Sequence, residues 1–383
     1  MYLNHLQLIN FRNYREQSLA FEAPKTILVG ANAQGKSNVL EAIEMMSTLK
    51  SHRTNRDRDL ILDGEHTSMI GGQITRESGR FDFGLTLRQN GRRTVSLNSG
   101  VQKRHLDVLG TLNTVQFSSL DMDLVRGGPV ERRDWLDRVL LQLEPVYAHL
   151  SQQYQQILRQ RNTLLKKHRK DDVPPLDQAQ LKLWNQQLAT MGVRVIQRRT
   201  RLLKRLVPLA QHWHRAISGA QEQLDLVYAP SIPHDSQETG HLYDRFQERF
   251  QERAIAEKAQ GLTLVGPHRD DVTLVINDTP ARQYGSQGQQ RTLVLALKLA
   301  ELELIEAVIG EPPILLLDDV LAELDLNRQN QLLDAIQDRF QTILTTTHLG
   351  AFDAKWLESA KILTVDQGQI RVESKCDAPP KKD

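Results

Sequence analysis

Hydrophobic and polar positions alternate, imperfectly, from Tyr2 to Ile9, and this period of two predicts an edge or half-buried strand. A turn follows at Phe11-Arg12-Asn13-Tyr14, then strands at Ser18–Glu22 and Lys25–Val29. Asn38–Met46 changes to helical spacing, and 50–58 is a polar, mainly basic loop. Residues 68–75, 80–88 and 93–98 read as strands, with Asn90-Gly91 as a hairpin signal between the last two. Val115–Ser118 is a further short strand.

Near residue 121 the period lengthens. Trp135, Val139 and Leu143 share one helical face, Pro145 restarts the helix, and Val146, Leu150, Tyr154, Ile157 and Leu165 continue the stripe. Asp171-Asp172-Val173-Pro174-Pro175 breaks it. A second long pattern runs from Gln178 to Trp213, with Pro208 expected to kink its end, so the two helices should form an antiparallel pair. A loop at 229–240 precedes a charged helix at 241–258. Strands return at 262–265 and 272–276, with a turn at Asn277-Asp278. A helix runs from Gln287 to about Val308, strands follow at Ile314–Leu317 and Thr342–Thr346, and a hairpin at 361–365 and 369–373 closes the fold. The tail from Ser374 reads as disordered.

This order predicts an α/β chain. Its 383 residues exceed what one core usually holds, so two or three lobes are expected. The boundaries fall at 1–120 for the first part of one lobe, 121–305 for a largely helical second lobe with an arm at about 131–260, and 306–373 for the remainder of the first, leaving the tail 374–383.

The chemistry centres on Gly30-Ala31-Asn32-Ala33-Gln34-Gly35-Lys36-Ser37, which reads G-x-x-x-x-G-K-S between a short apolar strand and a helix. That is the phosphate-loop pattern in its required context. Glycines let backbone N–H groups close around an anion, and the following helix aims its positive end at it. Lys36 can then reach β- and γ-phosphates, and the Ser37 hydroxyl can hold Mg²⁺. Asp318 and Asp319 end an aliphatic run, where such a site needs a metal-holding carboxylate, Asp318, and a group that orients or deprotonates water, Asp319. Ser286-Gln287-Gly288-Gln289-Gln290 opens a helix and forms a second phosphate-competent terminus. One γ-phosphate needs one phosphate loop, so the economical reading is that this second terminus completes the pocket of another copy.

Net charge is only +2, so any contact with nucleic acid must come from local patches. Arg159, Arg161, Lys166, Lys167, Arg169 and Lys170 form one run without acids, and Arg194, Arg198, Arg199, Arg201, Lys204 and Arg205 another. Both lie on the helical arm and could track phosphates without reading sequence. Cys376 stands alone, no apolar run approaches a membrane span, and no secretory leader is visible, so a cytoplasmic protein is expected.

Placed before the Asp318 strand, Ser286-Gln287-Gly288-Gln289 resembles the signature of ABC-type ATPases, which acts in trans. Ala322-Glu323-Leu324-Asp325 resembles their D-loop, and His348 their switch histidine. Together with Ser51-His52-Arg53-Thr54, Arg132-Arg133, Gly266-Pro267-His268-Arg269-Asp270-Asp271 and Arg291-Thr292, the whole chain is similar to the RecF family of bacterial DNA replication and repair proteins. The resemblance implies an ABC-type head with a mixed or parallel sheet lobe and a helical lobe bearing a short arm. It implies ATP and Mg²⁺ as cofactors, with Lys36, Asp319 and His348 as catalytic residues and Ser37 and Asp318 at the metal. Residues 30–37 would cradle the nucleotide with Arg12 and Asn13 beside it, Arg53 would be a basic regulatory residue, and Ser286, Gly288 and Gln289 would reach a partner's γ-phosphate. It further implies an ATP-dependent homodimer and DNA-stimulated hydrolysis. The implied partners are gapped or junction DNA, RecR and RecO, with RecA loading downstream and no membrane. A transport motor subunit and a chromosome-tethering ATPase are the alternatives. The second normally carries a far longer coiled coil.

Overall fold

The computed structural model describes residues 1–167, 177–232, 241–336, 339–352 and 354–372. Arg169, Lys170, the Pro-containing break at 171–175, most of the 229–240 loop and the tail with Cys376 lie outside the described residues. The chain forms two compact units, Met1–Asp121 with Lys298–Asp383, and Met122–Leu297, so the helix Gln287–Ile309 passes from one into the other.

The first unit holds two six-stranded sheets. One is antiparallel, in the order Tyr14–Ala20, Tyr2–Phe11, Thr67–Arg76, Gly79–Arg88, Arg93–Leu97, Gly100–Val101. The other sets Ala360–Asp366, Lys25–Val29, Thr342–Thr346, Ile314–Asp318 and Thr114–Ser118 in parallel, with Gln369–Val372 antiparallel at the edge. Its central strands are buried on both faces, so they carry aliphatic residues and threonines in place of an alternating pattern. Every residue of Thr342–Thr346 is buried, as are Ile314 to Leu317.

The helix Lys36–Thr48 lies between the sheets, touching Thr67–Arg76 on one side and Thr114–Ser118, Ile314–Asp318 and Thr342–Thr346 on the other. It is buried nearly all round, so its two carboxylates, Glu41 and Glu44, must find partners inside the protein. Gly72 allows this close approach: a Cβ there would stand 2.2 Å from Met46 Cε.

In the second unit, helices Pro129–Leu143, Val146–Lys167, Gln178–Ile217 and Leu242–Gln260 accompany a three-stranded antiparallel sheet, Thr279–Pro280, Asp271–Ile276 and Leu224–Ala229. Val146–Lys167 and Gln178–Ile217 pack together, and Leu242–Gln260 packs on both, with Phe246 seated over Gly192. The long helix continues through Pro208 to Ile217.

Two sequence expectations fail here for physical reasons. Leu262–Val265 is not a strand, because side chains occupy its backbone groups: Thr263 N donates to Asn162 Oδ1 (2.8 Å) and Leu264 N to Glu257 Oε1 (2.7 Å). Asp271–Ile276 pairs along its whole length with Leu224–Ala229, a strand that the sequence reading omitted. The basic stripes also lose members. Arg161 is fully buried and donates to Glu257 Oε2 (2.5 Å), Thr263 Oγ1 (2.8 Å) and Asn185 Oδ1 (2.8 Å). Arg199 is buried on Asp137 (2.9 and 3.0 Å) and the Pro267 carbonyl (2.7 Å).

Removing one partner of a buried pair strands the other charge, at a cost of about 3 kcal/mol or more. Glu257→Gln should therefore lower the denaturant midpoint of the full chain markedly. Lys166→Gln, at an exposed position, should leave the midpoint almost unmoved, a stability change within about 0.5 kcal/mol. Equal midpoints for the two variants would contradict this reading of Arg161.

Candidate functional site

Residues 30–37 connect the buried strand Lys25–Val29 to the buried helix Lys36–Thr48. Ala33 (φ 64°) and Gly35 (φ 115°) make the tight turn. Gly35 also permits contact, since a Cβ there would lie 2.6 Å from the Asn13 amide nitrogen. Asn13 Nδ2 donates to Gln34 O (2.8 Å), Tyr14 O–H to Gly35 O (3.0 Å) and Gly368 N to Gln34 O (3.1 Å). These bonds hold the loop by its outward carbonyls. Lys36 Nζ donates to Gly30 O (2.8 Å) and Ala31 O (2.9 Å), which sets the ammonium within the curve of the loop.

Sheet order brings the carboxylates to this loop. Thr342–Thr346 pairs with Lys25–Val29 on one side and Ile314–Asp318 on the other, with Thr346 opposite Val29 and Thr345 opposite Asp318. All three strands are parallel, so all end at the same edge. There Ser37 Oγ donates to Asp318 Oδ1 (2.7 Å), and Thr345 Oγ1 donates to the same oxygen (2.8 Å). The Asp319 amide donates to Thr345 Oγ1 (2.9 Å), and Asp319 takes the left-handed conformation (φ 52°). Burial raises the Asp319 carboxyl above its ordinary value; the Lys36 charge opposes this and Asp318 adds to it. Exposed His348 stands just past Thr346, its Nδ1 3.0 Å from Thr347 Oγ1.

Among the described residues no group of three or more His, Cys, Asp and Glu side chains could hold a metal unaided. Ser37 and Asp318 supply two hard oxygens beside a phosphate loop. That partial set suits a small divalent cation that takes its remaining ligands from phosphate and water.

Behind the loop, Glu41 is a hub. Arg12 grips it through Nε (2.9 Å) and Nη2 (2.6 Å) and donates to Asp59 O (2.8 Å). Ser51 Oγ donates to Glu41 (2.5 Å), and Arg53 reaches Glu41 (3.4 Å) and Asn38 Oδ1 (2.7 Å). Burial alone would raise the Glu41 carboxyl, but the Arg12 and Ser51 hydrogen bonds and the charges of Arg12 and Arg53 hold it below the ordinary glutamate value. One turn on, Glu44 pairs with His52 Nδ1 (2.6 Å). Burial opposes the His52 proton, but Glu44, then Glu41 and Asp318, raise it overall.

In the second unit, Ser286 precedes the helix Gln287–Ile309 and forms a reciprocal cap. Ser286 Oγ accepts from Gln289 N (3.2 Å), and Gln289 Oε1 accepts from Ser286 N (2.8 Å). Ser286 is exposed and Gly288 half-buried. In the first unit, Asp325 caps the helix Leu326–Ile336 through Arg328 N (3.0 Å), and Leu326 is 75% exposed.

A family model described as RecF/RecN/SMC N terminal domain matches residues 2–370. The DNA replication and repair protein RecF of Acaryochloris marina is 70% identical over 371 residues, covering 97% of this chain and 99% of that protein. Its namesake from a Cyanothece species is 64% identical over 377 residues, covering 98% and 100%. This chain belongs to the RecF family. The solved structure of a recombination mediator protein, RecF with ATP, of the RecFOR pathway is 31% identical, with a TM-score of 0.90 over 97% of this chain and 98% of that one. An Smc head domain from Pyrococcus furiosus shares the fold, with a TM-score of 0.55 at 16% identity over 97% and 96%.

The site also contains residues that motif spacing did not reveal. Thr345 bridges the two aspartates, and Tyr14 holds the loop. Glu41 organises Arg12 and Arg53. Two acids within the otherwise apolar run Val39–Met46 were a legible sign of buried partners, whereas Thr345 emerges only from strand register.

The folded chain binds a proton at Glu41 less readily than the unfolded chain does. This contribution to stability is therefore complete above the ordinary glutamate value of 4.5 and fades as pH falls through the depressed one. Glu41→Gln should unfold at lower denaturant than the parent at neutral pH, and the gap should narrow as the pH is taken below 4.5. A gap that held constant with pH would exclude an ionised Glu41.

Proposed function

We propose that this chain is an ATP-operated switch of recombinational repair and replication restart, in which bound ATP joins two copies on DNA and hydrolysis separates them. The observation that carries this reading is the meeting of Ser37, Asp318 and Asp319 at the phosphate loop. Loop amides and the helix terminus would receive the phosphates, and Lys36 would exchange its carbonyl partners for β- and γ-phosphate oxygens. Ser37 and Asp318 would hold Mg²⁺, which when bound neutralises phosphate charge. Asp319, half-buried beside Lys36, would orient the attacking water and take its proton, with His348 at the γ-phosphate. Asn13 would act by supporting the loop, and Arg12 and Arg53 through Glu41.

Ser286, Gly288 and Gln289 of a second copy would close the pocket over the γ-phosphate, with the exposed Asp325–Leu326 segment at the joint. The naming of the relatives as DNA replication and repair proteins, and of the solved structure as a RecFOR mediator, supports DNA, RecR and RecO as partners; the DNA would be gapped or a junction, with RecA loaded downstream. DNA would stimulate a slow hydrolysis, and the setting would be the cytoplasm. Among the described residues no helix is long and apolar enough to cross a membrane. A helix of 40 residues spans roughly 60 Å, short for a chromosome tether.

Lys36→Met should abolish ATP binding and ATP-dependent dimerisation together, read by equilibrium binding and sedimentation. Ser286→Arg should bind ATP as the parent does yet neither dimerise nor turn over. An Arg variant with normal turnover would refute completion in trans.

A further inference from the structure

Helices Val146–Lys167 and Gln178–Ile217 lie side by side, and Leu242–Gln260 covers one face of the pair. The stripe Tyr154, Leu158, Arg161 and Leu165 is buried, whereas Gln153, Gln156 and Gln160, which project elsewhere from the same helix, are exposed. Between the two helices runs a groove of about 510 Å³ with no charged side chain in its lining. These three glutamines border it from one helix, and Gln187, Trp184 and Met191 from the other. Trp184 and Met191 are half-buried, and with Ile157 and Leu183 they form an apolar wall beside the amides.

The surroundings are the opposite of neutral. The helices, of 22 and 40 residues, carry four and eight arginines and lysines and not one aspartate or glutamate. Gln187, Arg194, Arg201 and Arg205 recur at spacings of seven, seven and four, which places them on one helical face, and all four are exposed. The arginine ion pairs of this helix among the described residues use Arg198 and Arg199 instead. The groove therefore opens onto a stripe of arginines, Arg194, Arg201 and Arg205, whose side chains form no ion pair among the described residues.

An uncharged cleft with an aromatic wall, continued by cations alone, matches one kind of polymer: a chain of planar polar rings on a polyanionic backbone. Amide side chains can both donate to and accept from base edges. A duplex hides the base faces that would stack on Trp184 and the Watson–Crick edges, so the fit is to an unpaired strand.

We propose that this groove holds bases of single-stranded DNA against Trp184, while phosphates of the same strand run along Arg194, Arg201 and Arg205. The proposal rests on the DNA-binding reading above and adds to it a place and a mode: contact with the bases as well as the backbone. It gives the arm a preference for exposed bases, as a gap provides, over paired ones.

The test uses the full chain and three labelled DNAs of equal length: oligothymidine, a strand of abasic nucleotides, and a duplex, with binding read by anisotropy. The parent should bind oligothymidine about tenfold or more tightly than the abasic strand. Trp184→Ala should reduce oligothymidine binding to the abasic level and leave abasic and duplex binding unchanged. The double variant Gln156→Ala with Gln187→Ala, at exposed positions outside the core, should weaken oligothymidine binding in the same selective way and guards against misfolding of the Trp variant. Arg194→Gln with Arg201→Gln should weaken all three and flatten the salt dependence. Equal affinity of the parent for thymidine and abasic strands overturns the proposal. So does a Trp184→Ala protein that keeps the thymidine preference, which would assign the groove to a protein partner. Failure of the broader reading looks different: no DNA of the three binds even at low salt.

Discussion

A carboxylate at the end of a buried strand is stable as an anion only where donors meet it. Asp318 finds two hydroxyls, Ser37 from the first residues of a buried helix and Thr345 from the neighbouring strand. Ser37 and Asp318 lie 281 positions apart in the chain. The hydrogen bonds can form only if Lys25–Val29, Thr342–Thr346 and Ile314–Asp318 are parallel and in this order. Sheet topology, loop conformation and cation chemistry are thus one constraint. The same threonine accepts from the Asp319 amide, so the backbones and carboxylates of Asp318 and Asp319 are set relative to each other by one side chain.

Local signals in the sequence were legible where the physics is local. The phosphate loop needs glycines, a lysine and a serine at set spacing between a strand and a helix, and all of them lie within a single stretch. Asn277-Asp278 declared its turn, and both residues have positive φ. What depended on distant partners was hidden. Leu262–Val265 has strand composition, but Glu257 and Asn162 claim its amides. Leu224–Ala229 became visible as a strand only through its pairing with Asp271–Ile276. Charge in a helix does not say whether it is solvated: Arg161 and Arg199 sit in basic runs yet are core residues. Asn13 and Arg12, which the family resemblance put beside the nucleotide, direct their side chains at Gln34 and at Glu41 and Asp59.

Charge is segregated in this chain despite the small net value of +2. The acids of the first unit are largely engaged: Glu41 with Arg12, Glu44 with His52, Asp57 with Arg93, Glu311 with Arg76. The two long helices of the second unit keep their cations without internal acids, apart from those anchored by Glu144, Asp137 and Glu257 from elsewhere. One unit thus offers a phosphate loop and the other a cationic helical face. Within the proposed function, nucleotide state and DNA occupancy act on different parts of one chain.

The central claim is that each copy supplies the half of the nucleotide site that its neighbour lacks, and mixing two inactive proteins tests it most directly. Lys36→Met retains Ser286, and Ser286→Arg retains Lys36, so a mixed dimer contains one complete pocket and one doubly defective pocket. ATP turnover should be absent from each protein alone and should return on mixing, rising with the concentration of the second partner. A mixture as inactive as its components would contradict a site built in trans.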